Sequence, residues 1–579
     1  MFDILDSLTI NHLTLIYSLI SVSLIIYGLI PVIKLFRCGY NHPFSLPFFG
    51  TILWIYFKGL KCQIDWNRKY GQFYAVAQGQ TLVLVISNPN YLKEILVKSF
   101  SNFSNRRIIP IPNKYLDKSV FMTRDEEWRL ERRLILPTFT SHKMKHNMFP
   151  LISRCASRMI DHLKDSINSD LNPIHNKNDD QEIVVVDTKD IFGCYTMDVI
   201  ASTAFGLDLD SHKENNHAFV RNAKKAFDNE ITKPIFIVMI LFPVIIPILN
   251  YFKISPFEES PLQFFADIVE NTIEERKKFN IKRNDYLQLL LDSHDIYNSN
   301  QSNSNISLKE NARISNINGS KKDIHKISDD MMTMNEEDSI ETKTAENQNI
   351  LTAGMSKEQY ISNALLFFIA GYESTANALS WTARTLACYP EIQETLRNEI
   401  KQKISLKYTH FRPHLLNYDD IMSLKYLDQV IKEVMRLHPP NIFFDRMASE
   451  DFYLEDKLIK KGTVIEVPIY ALHRDENIWS SPNEFDPDRF DPKNLTMEHQ
   501  YSYMPFGFGP RNCVGLRFAM LEIKIGLTLI LGSNIQFVIA PGDINSDLTP
   551  DNTKFKKNGT NFPENGIKVG VRYIEENYS

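Results

Sequence analysis

Several things are missing from this 579-residue chain. Its six cysteines, Cys38, Cys62, Cys155, Cys194, Cys388 and Cys513, are scattered, and no CxxC pair occurs. That spacing argues against a disulfide framework and a zinc site, and it suits a body kept in a reducing compartment. Basic charge is not in excess: 65 Lys and Arg stand against 70 Asp and Glu, a formal net charge of −5. No global field therefore draws in nucleic acid. A glycine-rich loop for dinucleotide phosphates is absent, so NADPH has no cradle here. Charge is missing altogether from residues 13–33, which are dominated by Leu, Ile and Val.

That uncharged run has the length to cross a bilayer, about 30 Å at roughly 1.5 Å per residue. It is longer than the apolar part of a secretory signal, about 7–15 residues, and no small-residue cleavage site follows it. Asp3 and Asp6 precede it, while Lys34 and Arg37 follow. The positive-inside tendency then leaves the body in the cytosol. The expected organisation is an anchor over residues 1–37 and a catalytic body over 38–579. His42-Pro43 and Leu46-Pro47 make a short stiff connector, because proline cannot continue the helix.

Hydrophobic residues make up 43% of the chain, enough for a large core. The spacing of apolar positions predicts helices over 128–134, 261–278, 357–387, 424–437 and 515–531, with Pro261 at the first position of its helix. Strand-like composition occurs at 81–86, 183–186, 464–468 and 566–571. The fold class is mainly α with minor β. Residues 234–252 are also uncharged, but Pro234, Pro243 and Pro247 punctuate them. An interior helix proline costs about 3 kcal/mol, so a surface segment that dips into a bilayer or covers an apolar entrance fits better than a second span. Residues from 297 to about 350 are rich in Asn, Ser, Lys, Asp and Glu and read as a disordered polar insertion. Smaller polar insertions are expected at 166–181 and 541–563.

The most informative stretch is Phe506-Gly-Phe-Gly-Pro-Arg511-Asn-Cys513-Val-Gly515. Its glycines permit backbone shapes that other residues avoid. Phe506 can lie against an apolar ring, and Arg511 offers a forked cation for a carboxylate or phosphate. A helical pattern starts just after Cys513, so the dipole and free N–H groups of that helix favour a thiolate. A thiolate is a strong haem ligand. For an isolated cysteine, a structural role in a glycine-rich turn would be the better reading. Here the order F-x-x-G-x-R-x-C-x-G is complete, and the chain resembles the cytochrome P-450 superfamily.

That resemblance implies a haem-thiolate monooxygenase containing haem b, with Cys513 as axial ligand to the iron and Phe506 and Gly515 around it. Glu433 and Arg436 share a helix face at i and i+3. Such a pair is usually a solvated contact, but it matches the superfamily's E-x-x-R, and Arg489 matches the residue completing that structural triad. Trp128 and Arg132 match the W-x-x-x-R that meets the haem propionates. Arg446, Arg511 and Arg106 are further propionate candidates, with Arg107 adjacent to the last. Gly371 is expected to leave room for O₂ over the porphyrin. Glu373 and Ser374 match the acid–alcohol pair that relays protons, and Thr375 follows. Most relatives have Thr where this chain has Ser374. Carried over by position, Phe121, Leu366, Ile369, Ala370, Ile442 and Phe443 would face a lipophilic substrate.

Stretches such as Phe103-Ser-Asn-Arg-Arg107 and Tyr470-Ala-Leu-His-Arg-Asp475 are closer to the animal clan of drug- and steroid-oxidising enzymes, thromboxane synthase and insect detoxifying enzymes. The implied activity inserts one oxygen atom from O₂ into a xenobiotic, steroid or fatty acid. The implied partner is an NADPH–cytochrome P-450 reductase, and the implied place is the endoplasmic reticulum membrane, single-pass. Arg129, Arg133, Lys143 and Lys145 are candidates for docking an acidic reductase surface. Two alternatives are a haem-thiolate isomerase of lipid peroxides, disfavoured by Glu373 and Ser374, and a non-catalytic haem-binding membrane protein.

Overall fold

The longest apolar pattern in the body becomes a helix, Lys357–Cys388, around which the other helices pack. Its start is fixed by a capping box: Ser356 Oγ accepts from the Gln359 N–H, and Gln359 Oε1 accepts from the Ser356 N–H. From Tyr360 to Ala387 most of its side chains are buried, polar ones such as Asn363, Asn377 and Arg384 among them, because other helices pack around it. Its main neighbour is Thr188–Phe205, capped by Asp187 and ended by Gly206 at φ 65°. Phe205 and Phe368 stack between the two, centroids 3.9 Å apart. The computed structural model describes residues 2–108, 114–168, 174–175, 182–213, 218–227, 234–252, 254, 258–304, 354–405, 416–541, 554–556 and 560–574.

Helices Asp125–Ile135, Glu259–Phe279, Lys425–Leu437 and Leu516–Gly532 lie where the apolar spacing places them. Pro261 is the third residue of its helix rather than the first; no first-turn N–H has an intrahelical acceptor, so the position still suits proline. Sheet is minor. Thr81–Ile86 pairs antiparallel with Phe73–Gln78 and parallel with Val464–Val467, whose other edge takes Phe444–Met447. A second sheet orders Ile174–His175, Glu182–Asp187, Lys568–Tyr573 and Ile535–Val538. The helix Tyr286–Ser304 runs into the stretch read as insertion from 297, and 305–353 lie outside the described residues. So do most of 166–181 and 541–563.

At the N-terminus, Phe2–Cys38 is one helix, and its part from Thr14 to Cys38 is long and apolar enough to cross a membrane. Leu15 to Ile26 present exposed apolar side chains, whereas Leu35 is buried against the first sheet. Residues 234–252 form helices Pro234–Leu241 and Ile246–Tyr251 joined by the 3-10 turn Pro243–Ile245. The prolines break the segment too often for a second span. Its Val244, Ile248, Tyr251 and Phe252 are exposed.

Glu433 and Arg436 are fully buried, with Arg436 Nε 2.7 Å and Nη2 2.8 Å from the two carboxylate oxygens. Arg489 Nε donates to Glu433 Oε1 at 3.2 Å. The fork of Arg436 also donates to the carbonyls of His473, Pro482 and Glu484, and Arg489 to those of Ser480 and Ser481. One carboxylate thus gathers a helix and a long loop. Removing one partner of such a pair strands the other charge in a dry site, at about 3–5 kcal/mol. Glu433→Ala is expected to lose that much stability in thermal or denaturant unfolding, whereas Glu450→Ala, at an exposed site, should change little.

Candidate active site

The cysteine loop is built from the same knot. His473 Nε2 accepts from the Met504 N–H at 2.9 Å, and burial with the nearby Arg436 pushes its pKa down to about 3. The ring is neutral, so its other nitrogen, Nδ1, donates to the Arg436 carbonyl. From Met504 the chain turns tightly. The Gly507 N–H reaches the Met504 carbonyl at 3.0 Å, and the Cys513 N–H reaches the Phe506 carbonyl at 2.9 Å. Gly507 and Gly509 have φ of 73° and 75°, and a Cβ on Gly509 would lie 2.1 Å from the Leu96 carbonyl oxygen. Gly515 caps Leu516–Gly532.

Cys513 lies deep among protein atoms on every side, yet its surface is accessible. Those two statements agree only if the sulfur faces an internal space. Burial pushes the thiol up, against the Gly515 N–H and the positive charges of Arg132 and Arg106, which pull it down. Desolvation is the largest of these influences, while the helix-terminus N–H acts in the direction the sequence predicts, towards the thiolate.

The otherwise buried central helix keeps one accessible face. Ala370 is exposed, and Leu366, Ile369 and Ser374 are half-buried, between Leu365 and Phe368, which are buried. Ser374 Oγ donates to the Ala370 carbonyl at 2.7 Å. Phe121 is 41% exposed, and Ile442 and Phe443 are half-buried. A Cβ on Gly371 would lie 2.7 Å from Ile200 Cδ1, so the glycine also serves the close approach of Thr188–Phe205. Thr375 is buried beside the half-buried Ser374.

Glu373 is buried and turned towards that same helix, its Oε2 2.9 Å from Lys189 Nζ. Lys189 also reaches Asn377 Oδ1 at 2.5 Å. Burial pushes this lysine down to about 8 against the attraction of Glu373. Glu373 Oε1 is buried without a hydrogen-bond partner. Nothing in the sequence pattern marks Lys189, because its partner is almost 200 residues away.

At one end of the space, four guanidiniums converge. Arg511 donates to the carbonyls of Ser104 at 2.8 Å and Thr123 at 2.7 Å, and lies over the Trp128 ring. Arg132 grips Asn512 through its carbonyl at 2.8 Å and Oδ1 at 2.6 Å. Arg446 donates to the Asp445 carbonyl, and Arg106 lies over Phe121. Arg107 goes elsewhere: Asp445 at 2.5 Å and Glu466 at 3.1 Å take its fork. Burial first, then mutual repulsion, pushes Arg132 down to about 10, Arg511 to about 9 and Arg446 well below its usual range. Among the described residues none of the four makes an ion pair, and the Nε atoms of Arg106, Arg446 and Arg511 are buried without partners. Guanidiniums stay charged. The arrangement therefore suits a ligand with two carboxylates at this end and a metal at the accessible sulfur, which is the chemistry of haem b.

A family model described as Cytochrome P450 matches residues 41–544. Cytochrome P450 3A13 of Mus musculus is 32% identical over 546 residues, covering 94% of this chain and 93% of that protein. Cytochrome P450 3A11 of the same species is 33% identical over 496 residues, with 85% and 84% covered. Cytochrome P450 3A9 of Rattus norvegicus is 33% identical over 499 residues, with 86% and 85% covered.

Proposed function

Because the chain belongs to the cytochrome P450 family and is a haem-thiolate monooxygenase, we propose that it oxidises a lipophilic xenobiotic, steroid or fatty acid, with electrons from NADPH through a reductase. The observation that carries this reading is the accessible Cys513 in its glycine-bounded loop, beside Arg106 and Arg132. Haem b held through a cysteine sulfur supplies the O₂ activation from which one oxygen atom passes to substrate.

Cys513 is the ligand, with Phe506 and Gly515 shaping its loop. Trp128, Arg106, Arg132, Arg446 and Arg511 hold the two propionates. Leu366, Ile369, Ala370, Phe121, Ile442 and Phe443 present apolar surface to the substrate and exclude water. Ser374 and Glu373 move protons on the distal side. Support for a gated transfer is that Glu373 is tied to Lys189 while Ser374 points back at Ala370; the carboxylate must leave the lysine to meet the hydroxyl. The body, residues 38–579, sits on the cytosolic face of the endoplasmic reticulum, held by the anchor over 1–37, with the apolar 234–252 segment against the bilayer.

The proposed reductase face is less basic than its sequence. Arg129 pairs with Glu126, and Lys145 with Asp419 at 2.6 Å. Arg133 and Lys143 make no ion pair among the described residues. Charge reversal at Arg133 or Lys143 is therefore expected to slow reductase-driven reduction, and to flatten its dependence on salt, more than reversal at Arg129 or Lys145. Equal effects at all four would overturn that docking face.

The reaction itself is tested by spectrum and turnover. The reduced, CO-bound protein should show the thiolate Soret band and Cys513→Ala should lose it. NADPH consumption should require reductase and yield oxidised product. An isomerase would turn over a lipid peroxide with neither.

Lys189 carries charge below about pH 8 and loses it as the pH rises through that value. Product formed per NADPH is expected to change across that point. In Lys189→Arg, whose cation persists, the inflection should vanish; an inflection that stays in place would remove Lys189 from the relay.

A further inference from the structure

We infer that Arg124 is a fifth cation of the propionate site, one that tightens haem retention and favours reduction of the bound iron. The inference rests on the reading of Arg106, Arg132, Arg446 and Arg511 given above. Locally, Arg124 is a poor choice. It occupies the cap position before Asp125–Ile135 and makes no side-chain cap bond there. A cation at a helix N-terminus opposes the dipole, and the next three residues, Asp125, Glu126 and Glu127, show the charge that end prefers.

Its surroundings supply a reason. The preceding carbonyl, that of Thr123, takes the Arg511 fork at 2.7 Å. The following residue, Asp125, is held at φ 49°, a strained value for a residue with a side chain. It is pinned there by Asn105, which donates to Asp125 Oδ1 at 2.6 Å and accepts from the Asp125 N–H at 3.0 Å. Asn105 in turn precedes Arg106, and its carbonyl accepts from the N–H of Met447, next to Arg446. One small knot of backbone therefore fixes Arg106, Arg124, Arg446 and Arg511 relative to one another. Arg124 Nε is buried with no hydrogen-bond partner, as are the Nε atoms of the other three. Arg124 forms no ion pair among the described residues. Its charge adds to the repulsion felt by Arg511.

Two propionates offset two charges, so a fifth guanidinium enlarges the positive surplus that the other four already leave near the porphyrin. Such a surplus holds the anionic groups more firmly and lowers the energy of an added electron. In the ligand-free protein the same charge is only repulsive. The test uses the full-length protein and three readouts: transfer of haem to an excess of a haem-scavenging apoprotein, the midpoint potential from spectroelectrochemistry, and thermal unfolding of the ligand-free chain. For Arg124→Gln we expect several-fold faster haem loss, a lower potential and a higher ligand-free melting temperature, with Arg124→Lys close to the parent. Haem loss and potential unchanged in Arg124→Gln, while Arg511→Gln and Arg446→Gln lose haem readily, would overturn the inference alone. A ligand-free melting temperature that falls would mark a structural residue and overturn it too. If none of the three variants loses haem faster, the propionate reading fails and takes the inference with it.

Discussion

Glu433 is the carboxylate on which the position of the Cys513 loop depends. It is fully buried, and so is Arg436, so neither charge has water to fall back on. The guanidinium answers by spreading its remaining protons over three carbonyls of the 473–484 loop. His473 then passes that constraint on to Met504, where the cysteine loop begins. A neutral imidazole is required for this, because a protonated ring could not accept from the Met504 N–H. Burial beside Arg436 guarantees the neutral form throughout the physiological range.

The propionate end handles buried charge in the opposite way. Around Glu433 the charges are mutually satisfied within the chain. Around Arg446 positive charge predominates, with Asp445 the nearby carboxylate, and the guanidiniums are satisfied in part by carbonyls and in part not at all. Such a cluster is costly on its own, and an anionic partner held there would recover the cost and couple its binding to folding. Packing contributes as well: Trp128 lies against both Phe100 and Arg511, so the ring that flanks the site also belongs to the core.

Much of this was legible in the sequence. The strand Thr81–Ile86 and the start of the helix Lys357–Cys388 fall where composition and apolar spacing put them, because local rules dominate there. The family, the monooxygenase chemistry and haem b were legible from the cysteine loop. Contacts between distant segments were not. Arg106 and Arg107 are equivalent as sequence, and only the sheet partners Asp445 and Glu466 separate them. The close approach of Ile200 to Gly371 was not legible either, since the two lie on separate helices. Lys189 carried no signal, since its meaning comes from a helix–helix approach. At Cys513 the helix-terminus N–H acts as its local sequence predicts, but the guanidiniums of Arg132 and Arg106 that act with it come from distant segments.

The anchor joins this network instead of trailing from it. Tyr27 donates to the Leu241 carbonyl at 2.9 Å and stacks on Phe242, and a Cβ on Gly28 would collide with Phe48. Lys34 Nζ reaches the Gln80 carbonyl at 2.6 Å, in the hairpin turn that follows Phe73–Gln78. That turn also meets the proline-broken segment, where Gly79 sits so close to the Ile240 carbonyl that no side chain would fit. The hairpin's second strand pairs with Val464–Val467, and that strand pairs with Phe444–Met447, which carries Arg446. A helix displaced by a single turn, about 5.4 Å, would break the Tyr27, Gly28 and Lys34 contacts together. The depth of the anchor and the position of the apolar 234–252 segment are therefore one variable, connected through paired strands to the arginine cluster.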